Sequence, residues 1–168
     1  IEETAIALDT FHDSDKPVVL TGAMHPSDDP DADGPDNLTA AVETIANPEN
    51  QGKGTFIAFG DKVLPARGAY MADTTKPNGF ATNSEKDFPE RPVPLKYAPL
   101  GDARVDIIAA YPGASGDLIE RAVAGGAQGI VIEGMGTGNI SASLAAAAKE
   151  AAKTMPVVLT TRVDHGPV

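Results

Sequence analysis

Short β-branched runs alternate with helical patterns along the second half of this sequence, and this alternation constrains the fold more than any other feature. The patterns predict strands at 105–111, 129–133 and 156–160, with helices at 115–124 and 141–153. Strands that alternate with helices in this way form a parallel sheet with right-handed crossovers. The sequence therefore predicts an α/β fold with a parallel, Rossmann-like sheet.

The first half carries the same kinds of signal in a less regular order. Its patterns predict, in order, a helix at 1–13, a buried strand at 16–22, a helix at 37–46 and a strand at 54–60. We expect Asp36 to cap the second helix and Asn47-Pro48 to end it. The run K-V-L-P-A that follows the second strand is a candidate hairpin arm.

A proline-rich stretch separates the two halves. Residues 76–102 hold five prolines and few apolar runs, a composition typical of an irregular connector. The sequence therefore predicts two α/β lobes, at 1–75 and 103–168, joined by a connector at 76–102.

The charge balance argues against nucleic acid as a partner. The net charge is −11, from 24 acidic and 13 basic residues, whereas binding to phosphate needs basic patches. A solvated acidic surface that aids solubility and an adaptation to high salt both explain the excess of acid, and the sequence leaves the two open. Cysteine is absent, which excludes disulfides and thiolate metal sites.

The sequence contains neither of the usual membrane signals. No apolar run reaches the ~18 residues of a membrane span. Ile1-Glu2-Glu3 lacks the basic and apolar regions that open a signal peptide. We expect no membrane partner and favour the cytoplasm.

An acidic loop follows the first predicted strand, and open α/β sheets bind ligands at such loops. Between Gly22 and Asp36 it clusters the aspartates Asp28, Asp29, Asp31 and Asp33. Their spacing does not match a calcium loop, because no bidentate glutamate follows at the right distance. We predict a solvated loop without a metal ion. The three histidines, His12, His25 and His165, are also too scattered for a metal site.

A glycine-rich loop lies in the second half. E-G-M-G-T-G-N at 133–139 follows a predicted strand, but Asn139 stands where a dinucleotide fingerprint needs its third glycine. We therefore predict a tight turn that requires small residues, and no bound cofactor.

Longer motifs point to a known family. The stretch K-P-V-V-L-T-G-A-M-H-P-S-D-D-P-D-A-D-G-P-D-N-L-T-A-A-V at 16–42 closely resembles a segment of the bacterial-type L-asparaginases. A-Y-P-G at 110–113, G-I-V-I-E-G-M-G-T-G-N-I-S at 129–141 and P-V-V-L-T-T-R-V-D-H-G-P-V at 156–168 resemble later motifs of that family in order and spacing. The sequence is identified as a member of the asparaginase/glutaminase family.

The resemblance implies hydrolysis of the side-chain amide of L-asparagine, or in some members L-glutamine, to the acid and ammonia. The family uses a threonine nucleophile, which a second threonine, an aspartate and a lysine assist, and it needs no cofactor or metal. It implies a homo-oligomer, a tetramer built from intimate dimers, and places Ala23 and Met24 at the border of the substrate pocket.

The family's two threonine motifs, G-G-T-I and H-G-T-D-T, are absent from this sequence. We expect the sequence to be an internal part of the asparaginase fold, truncated at both ends, with the nucleophile upstream of residue 1. By itself this part should not hydrolyse anything.

The catalytic lysine is also missing from its place. The stretch A-R-G-A-Y-M-A-D-T-T-K-P-N-G-F at 66–80 resembles the family segment that carries this lysine. Arg67, Thr74, Thr75 and Phe80 match the family, and the position of the lysine, the lysine slot, falls on Met71. Methionine carries no charge and relays no proton. Lys76 is a substitute for that lysine only if the alignment with the family shifts by five residues, and this shift breaks the matches at Thr74-Thr75 and Phe80.

Smaller departures lie nearby. His25 stands where the family usually has an arginine. In the second lobe, some members lend a side chain to the neighbouring subunit's site from the place of Gly113. Ser115 is the nearest polar residue there, and it serves equally well as a helix cap.

Two alternatives to an active asparaginase stay open. Methionine at the lysine slot is consistent with a catalytically impaired or non-catalytic relative, and an amidotransferase subunit would have a similar fold.

Overall fold

The computed structural model describes residues 1–84, 86, 90–99 and 101–168. Within these ranges the chain forms two compact units, Ile1–Ala98 and Pro99–Val168. The helices are α1 (Glu2–Phe11), α2 (Gly34–Ala46), α3 (Asp117–Ala124) and α4 (Ala142–Ala151), and a short 3₁₀ helix covers Pro48–Asn50. The strands are β1 (Val18–Leu20), β2 (Thr55–Phe59), β3 (Lys62–Pro65), β4 (Ala69–Met71), β5 (Phe80–Thr82), β6 (Val105–Ala109), β7 (Gly129–Gly134) and β8 (Val157–Thr161).

The first unit is built on a three-stranded sheet of order β1-β2-β3. Strand β2 pairs in parallel with β1 and antiparallel with β3, which confirms the predicted hairpin arm. All five residues of β2 are buried. The prediction of a buried strand at 16–22 is wrong in length and burial, because within the described ranges the strand covers only Val18–Leu20 and these residues are half-buried.

A second hairpin, β4–β5, lies within the first unit, and β5 falls in the segment predicted to be irregular. The pattern of short apolar runs does not reveal β5, which has three residues. The strand is held by the side chain of Phe80, which is buried against Phe59 with ring centroids 5.1 Å apart. Part of the predicted connector therefore belongs to the core of the first unit. The predicted domain limits 1–75, 76–102 and 103–168 stay a prediction.

The stretch after the undescribed residues is pinned to α1 by Arg91. Its guanidinium donates to the main-chain oxygens of Asp9, at 2.9 Å, and His12, and its Nε lies 3.0 Å from Asp9 Oδ1. Further along, the Leu95 N–H donates to the Thr10 oxygen at 2.8 Å. Despite its prolines, this stretch therefore has a fixed path along the helix.

The second unit matches the predicted alternation of strands and helices closely. Strands β6, β7 and β8 pair in parallel in that order, which confirms the parallel sheet. Side chains of α3 and α4, with Ile119 and Leu144 at their centre, pack on Ile130 and Ile132 of β7. Ile107, on the other face of the sheet, is 67% exposed.

The interpretation of Ser115 as the cap of helix α3 is wrong. Its N-cap residue is Gly116, which offers no capping side chain. The Ser115 hydroxyl instead bonds to the Asp117 carboxylate and accepts from the Asp117 N–H at 3.3 Å. In contrast, α4 is capped by Ser141, whose hydroxyl accepts from the Leu144 N–H at 3.1 Å. None of the helices in the described ranges has the length and apolar character that a bilayer span requires.

Gly60 at the β2–β3 turn provides a stability test of the first unit. It has φ of +61°, and a Cβ there would lie 2.6 Å from the Pro77 oxygen and 2.8 Å from Asn78 Cα. We expect Gly60→Ala to lower the free energy of unfolding by about 2–5 kcal/mol, since a left-handed backbone and a clash with main chain add together.

Gly52 is a matched control in the same unit. Its φ is +75°, but a Cβ would meet only the Asp15 carboxylate at 3.8 Å, so Gly52→Ala should cost only the backbone term of about 1–2 kcal/mol. Urea unfolding followed by circular dichroism measures both. Equal losses for the two variants would contradict the close approach at Gly60.

Candidate active site

The loops that follow β1 and β2 are held together at one end of the first sheet. The two strands are parallel, with Leu20 opposite Ile57, so both loops leave from their carboxyl ends. The Thr21 hydroxyl donates to the Ala58 oxygen at 2.7 Å and links the chains where they leave the sheet. Ligands of open α/β sheets bind at such an edge, and the sequence predicts its candidate pocket residues in the first of these loops.

Asp33 shapes the loop that carries the predicted pocket residues Ala23 and Met24. Its carboxylate accepts from the Met24 N–H, at 3.0 Å to either oxygen, and from the His25 N–H at 2.9 Å. The Met24 side chain packs against the first-unit core, while Ala23 is exposed. The loop is therefore fixed through its main chain.

The helix after this loop starts earlier than predicted. Helix α2 begins at Gly34 and its N-cap residue is Asp33, so the prediction that Asp36 caps it is wrong. Asp33 makes no capping bond with its side chain, because its carboxylate is directed to the preceding loop. The predicted end at Asn47 is confirmed.

Asn37, for which the sequence pattern predicts no role, links three segments of this region. It is 1% exposed. Its amide nitrogen donates to the Gly22 oxygen and to Asp33 Oδ2, both at 2.9 Å, and its amide oxygen accepts from the Gly60 N–H at 2.8 Å. One side chain thus joins the loop after β1, the start of α2 and the turn after β2.

A recess of about 510 Å³ opens beside this network. Three aspartates are among the residues that line it, Asp33, Asp36 and Asp61. Among the described residues, neither Ala23 nor Met24 lines the recess. The recess is therefore an acidic hollow between the start of α2 and the β2–β3 turn, and the predicted pocket residues lie outside it.

The hydrogen bonds to Asp33 change its acidity. Its burial would raise the pKa, but bonds from the His25 and Met24 main chain and the Asn37 amide outweigh that effect, so the pKa is lowered. A carboxyl group with a lowered folded pKa stabilises the protein above its unfolded pKa of about 4, and this stabilisation is lost as the pH falls through the folded pKa.

Thermal unfolding as a function of pH tests this role of Asp33. We expect Asp33→Asn to lower the melting temperature by a constant amount between pH 5 and 8, because the carboxylate is fully ionised there. The difference from the natural protein should shrink below about pH 4. Other carboxyl groups titrate in both proteins and cancel. A difference that stays constant down to pH 2 would contradict the prediction.

Met71, which occupies the predicted lysine slot, is the last residue of β4. It lies opposite Phe80 of β5 and is 41% exposed. A second lysine, Lys62, also reaches β5. Its amine donates to the Phe80 oxygen at 2.9 Å and to the Asn78 oxygen at 3.4 Å. That amine ties β3 to β5, and no sequence pattern reveals the contact.

Lys76, the substitute considered for the lysine, lies in the turn between β4 and β5. Its Nζ is 2.9 Å from Asp73 Oδ2, and its side chain is 68% exposed. The Asp73 carboxylate accepts from the Thr75 N–H at 2.9 Å. Bonds from the Thr75 main chain, Lys76 and the Thr75 hydroxyl lower the pKa of Asp73. The amine of Lys76 therefore closes a surface turn.

The other candidate loops form no ligand cluster. Among the residues that the structure describes, no three of the types His, Cys, Asp and Glu are gathered so that they could hold a metal ion. The turn at 133–139 is tight, as predicted. Met135 and Asn139 exchange main-chain hydrogen bonds at 2.9 and 2.7 Å, and a Cβ at Gly134 would lie 2.5 Å from Gly138.

These features define a class of protein: two α/β units with parallel strands, the first with a fixed Gly-Ala-Met loop at the strand ends. The family model "Asparaginase, N-terminal" matches residues 1–90, and "Glutaminase/Asparaginase C-terminal domain" matches residues 104–168. The chain belongs to the asparaginase family.

Individual relatives agree with this placement. "L-asparaginase 2" of Bacillus subtilis is 34% identical over 186 residues, covering 100% of this chain and 50% of that protein. "L-asparaginase 2" of Escherichia coli is 35% identical over 185 residues, covering 99% and 53%.

A crystal structure described as a "Probable Cytoplasmic L-asparaginase" of Campylobacter jejuni superposes with a TM-score of 0.85 at 34% identity, over 97% of this chain and 56% of that one. This likeness confirms the predicted α/β fold. The chain spans about half the length of the relatives that it matches.

Proposed function

We propose that the protein to which this chain belongs hydrolyses the side-chain amide of L-asparagine to L-aspartate and ammonia. The observation that carries the proposal is the Gly22-Ala23-Met24 loop, which is fixed at the carboxyl ends of parallel strands in a chain of the asparaginase family. The nucleophile is a threonine outside these 168 residues. It forms an acyl-enzyme that water then releases.

In this proposal Ala23 and Met24 form a wall of the substrate pocket. Because Asp33 holds the Met24 and His25 N–H groups, the loop presents the exposed Ala23. The proposed substrate site is distinct from the acidic recess, because among the described residues neither Ala23 nor Met24 lines that recess.

Met71 supports a second candidate, a catalytically impaired or non-catalytic relative. A thioether at the lysine slot supplies no proton and no positive charge, and the amine of Lys76 is held by Asp73. We therefore expect the natural protein to turn over slowly. No cofactor or metal enters the proposed reaction.

We also propose that the protein is a homo-oligomer, a dimer or tetramer, that tolerates high salt. The net charge of −11 supports the second point, since salt screens the repulsion between surface carboxylates. The first point rests on the family.

The proposal is tested with the purified full-length protein. Ammonia release is measured with L-asparagine and with L-glutamine, at low salt and at molar salt. Slow release from L-asparagine is the expected result. Absence of release at every salt concentration, in the natural protein and in Met71→Lys, would overturn it and favour the non-catalytic relative.

A further inference from the structure

We propose that Asn37 is a positioning residue that locks the Ala23–Met24 wall of the pocket to the turn between β2 and β3. Asp33 is its partner in this lock. The inference rests on the proposed function, because it assigns these side chains a part in binding the same substrate.

The bonds of Asn37 are unlike those of an ordinary residue in the first turn of a helix. Its three partners, Gly22, Asp33 and Gly60, all lie outside α2. Both amide hydrogens and the amide oxygen are used, and the side chain is almost fully buried. A buried amide whose hydrogen bonds are all made favours one arrangement of the segments that it joins, because any other arrangement leaves a polar group unpaired.

The lock leads directly to the predicted pocket residues. The Gly22 oxygen that Asn37 binds precedes Ala23, and Asp33, which Asn37 also binds, holds the N–H groups of Met24 and His25. The short stretch that contains Ala23 and Met24 is therefore fixed at both ends. It has little freedom to adjust to a substrate.

The other side of the lock is rigid as well. Asn37 is bonded to the Gly60 N–H, and Gly60 packs on the main chain of Pro77 and Asn78, with no room for a Cβ. A wall fixed in this way binds its substrate without first paying the entropy of ordering a loop. Loss of the lock should therefore weaken substrate binding more than it slows the chemical step.

The experiment compares Asn37→Ala with Asn50→Ala in the full-length protein, using the Met71→Lys background if the natural rate is too low. Asn50 is a matched control: it is an asparagine of the same unit, and its amide donates to the Thr44 oxygen at 2.9 Å, away from the loop. We expect Asn37→Ala to raise KM for L-asparagine at least about 10-fold, with kcat within about 3-fold, and Asn50→Ala to leave KM unchanged.

A purely structural role gives a different result, because a partly unfolded enzyme loses kcat and keeps its KM. An unchanged KM in Asn37→Ala would overturn the inference. If Asn37→Ala does not fold, Asp33→Asn provides the test. It removes the charge that holds Met24 and His25, and it should raise KM in the same direction by a smaller factor. An unchanged KM in Asp33→Asn would likewise overturn the inference.

Amide hydrogen exchange separates failure of the inference from failure of the proposed function. Asn37→Ala should speed exchange of the Met24 and His25 N–H groups at least about 10-fold, although their acceptor Asp33 is intact, and Asn50→Ala should not. Faster exchange in a protein without activity would uphold the lock and refute only the proposed reaction. Unchanged exchange would overturn the lock.

Discussion

Replacement of Met71 with lysine in the full-length protein is expected to raise the rate of ammonia release from L-asparagine by about 10²-fold or more. A positioned general acid or base contributes about 10²–10⁴-fold to such reactions. The site can accept the new side chain, since Met71 is 41% exposed at the end of β4 and a lysine stem of similar length needs no buried space. Steady-state release of ammonia measures the gain.

Two control variants define what the new lysine supplies. Met71→Arg brings the positive charge but cannot lose its proton, so it should recover much less of the rate than Met71→Lys. Lys76→Met should leave the rate within about twofold, because that amine is exposed and paired with Asp73. A rate abolished by Lys76→Met would place the proton transfer at Lys76 and contradict the assignment of the slot to Met71.

The largest expected effect on stability comes from Asp9. Its carboxylate is 4% exposed and lies between two guanidinium groups, with Arg67 Nε 2.8 Å from Oδ2 and Arg91 Nε 3.0 Å from Oδ1. The Thr55 N–H also donates to Oδ1 at 2.9 Å. The Arg67 contact is an ion pair without hydrogen-bond alignment, since neither Asp9 Oδ2 nor Arg67 Nε has a hydrogen-bond partner among the described residues.

Asp9→Ala should therefore lower the free energy of unfolding of the first unit by about 3–5 kcal/mol, the usual loss when one member of a buried pair is removed. The variant leaves Arg91 Nε and the Thr55 N–H without their acceptor and removes the ion pair of Arg67. Arg91 then holds α1 only through the main-chain oxygens of Asp9 and His12. Urea unfolding followed by circular dichroism, fitted separately for the two units, gives the number.

Glu150→Gln is the control for an exposed pair. Glu150 Oε2 lies 2.6 Å from Lys153 Nζ, and both side chains are more than half exposed. Such pairs contribute about 0–1 kcal/mol. If Asp9→Ala destabilised the protein no more than Glu150→Gln, the buried cluster would not be the anchor of the first unit.

The sequence predicts the second unit better than the first, and topology explains the difference. Strands β6, β7 and β8 follow one another with a helix between neighbours, so local patterns carry the whole arrangement. In the first unit, β1 has three residues, too few for a clear local pattern. Strand β5 depends on the burial of Phe80 against Phe59, a contact between residues far apart in sequence.

The long-range side-chain contacts of the first unit, those of the candidate site included, could not be predicted from local patterns. Asn37 binds Gly60, 23 residues away, and Arg91 binds Asp9, 82 residues away. The error at Asp36 has the same origin. An aspartate near a helix start predicts a cap, but here Asp33 occupies the cap position and directs its carboxylate to the loop before it. Only the fold brings these groups together.

The fate of the amide nitrogen tests the central claim most directly. The natural full-length protein and Met71→Lys are each incubated with L-asparagine labelled with ¹⁵N in its side-chain amide, and the products are followed by NMR. We predict ¹⁵N-ammonia and L-aspartate in equal amounts from both proteins, with the faster rate in Met71→Lys. If neither protein forms labelled ammonia or L-aspartate at any salt concentration, the protein is not an asparagine amidohydrolase.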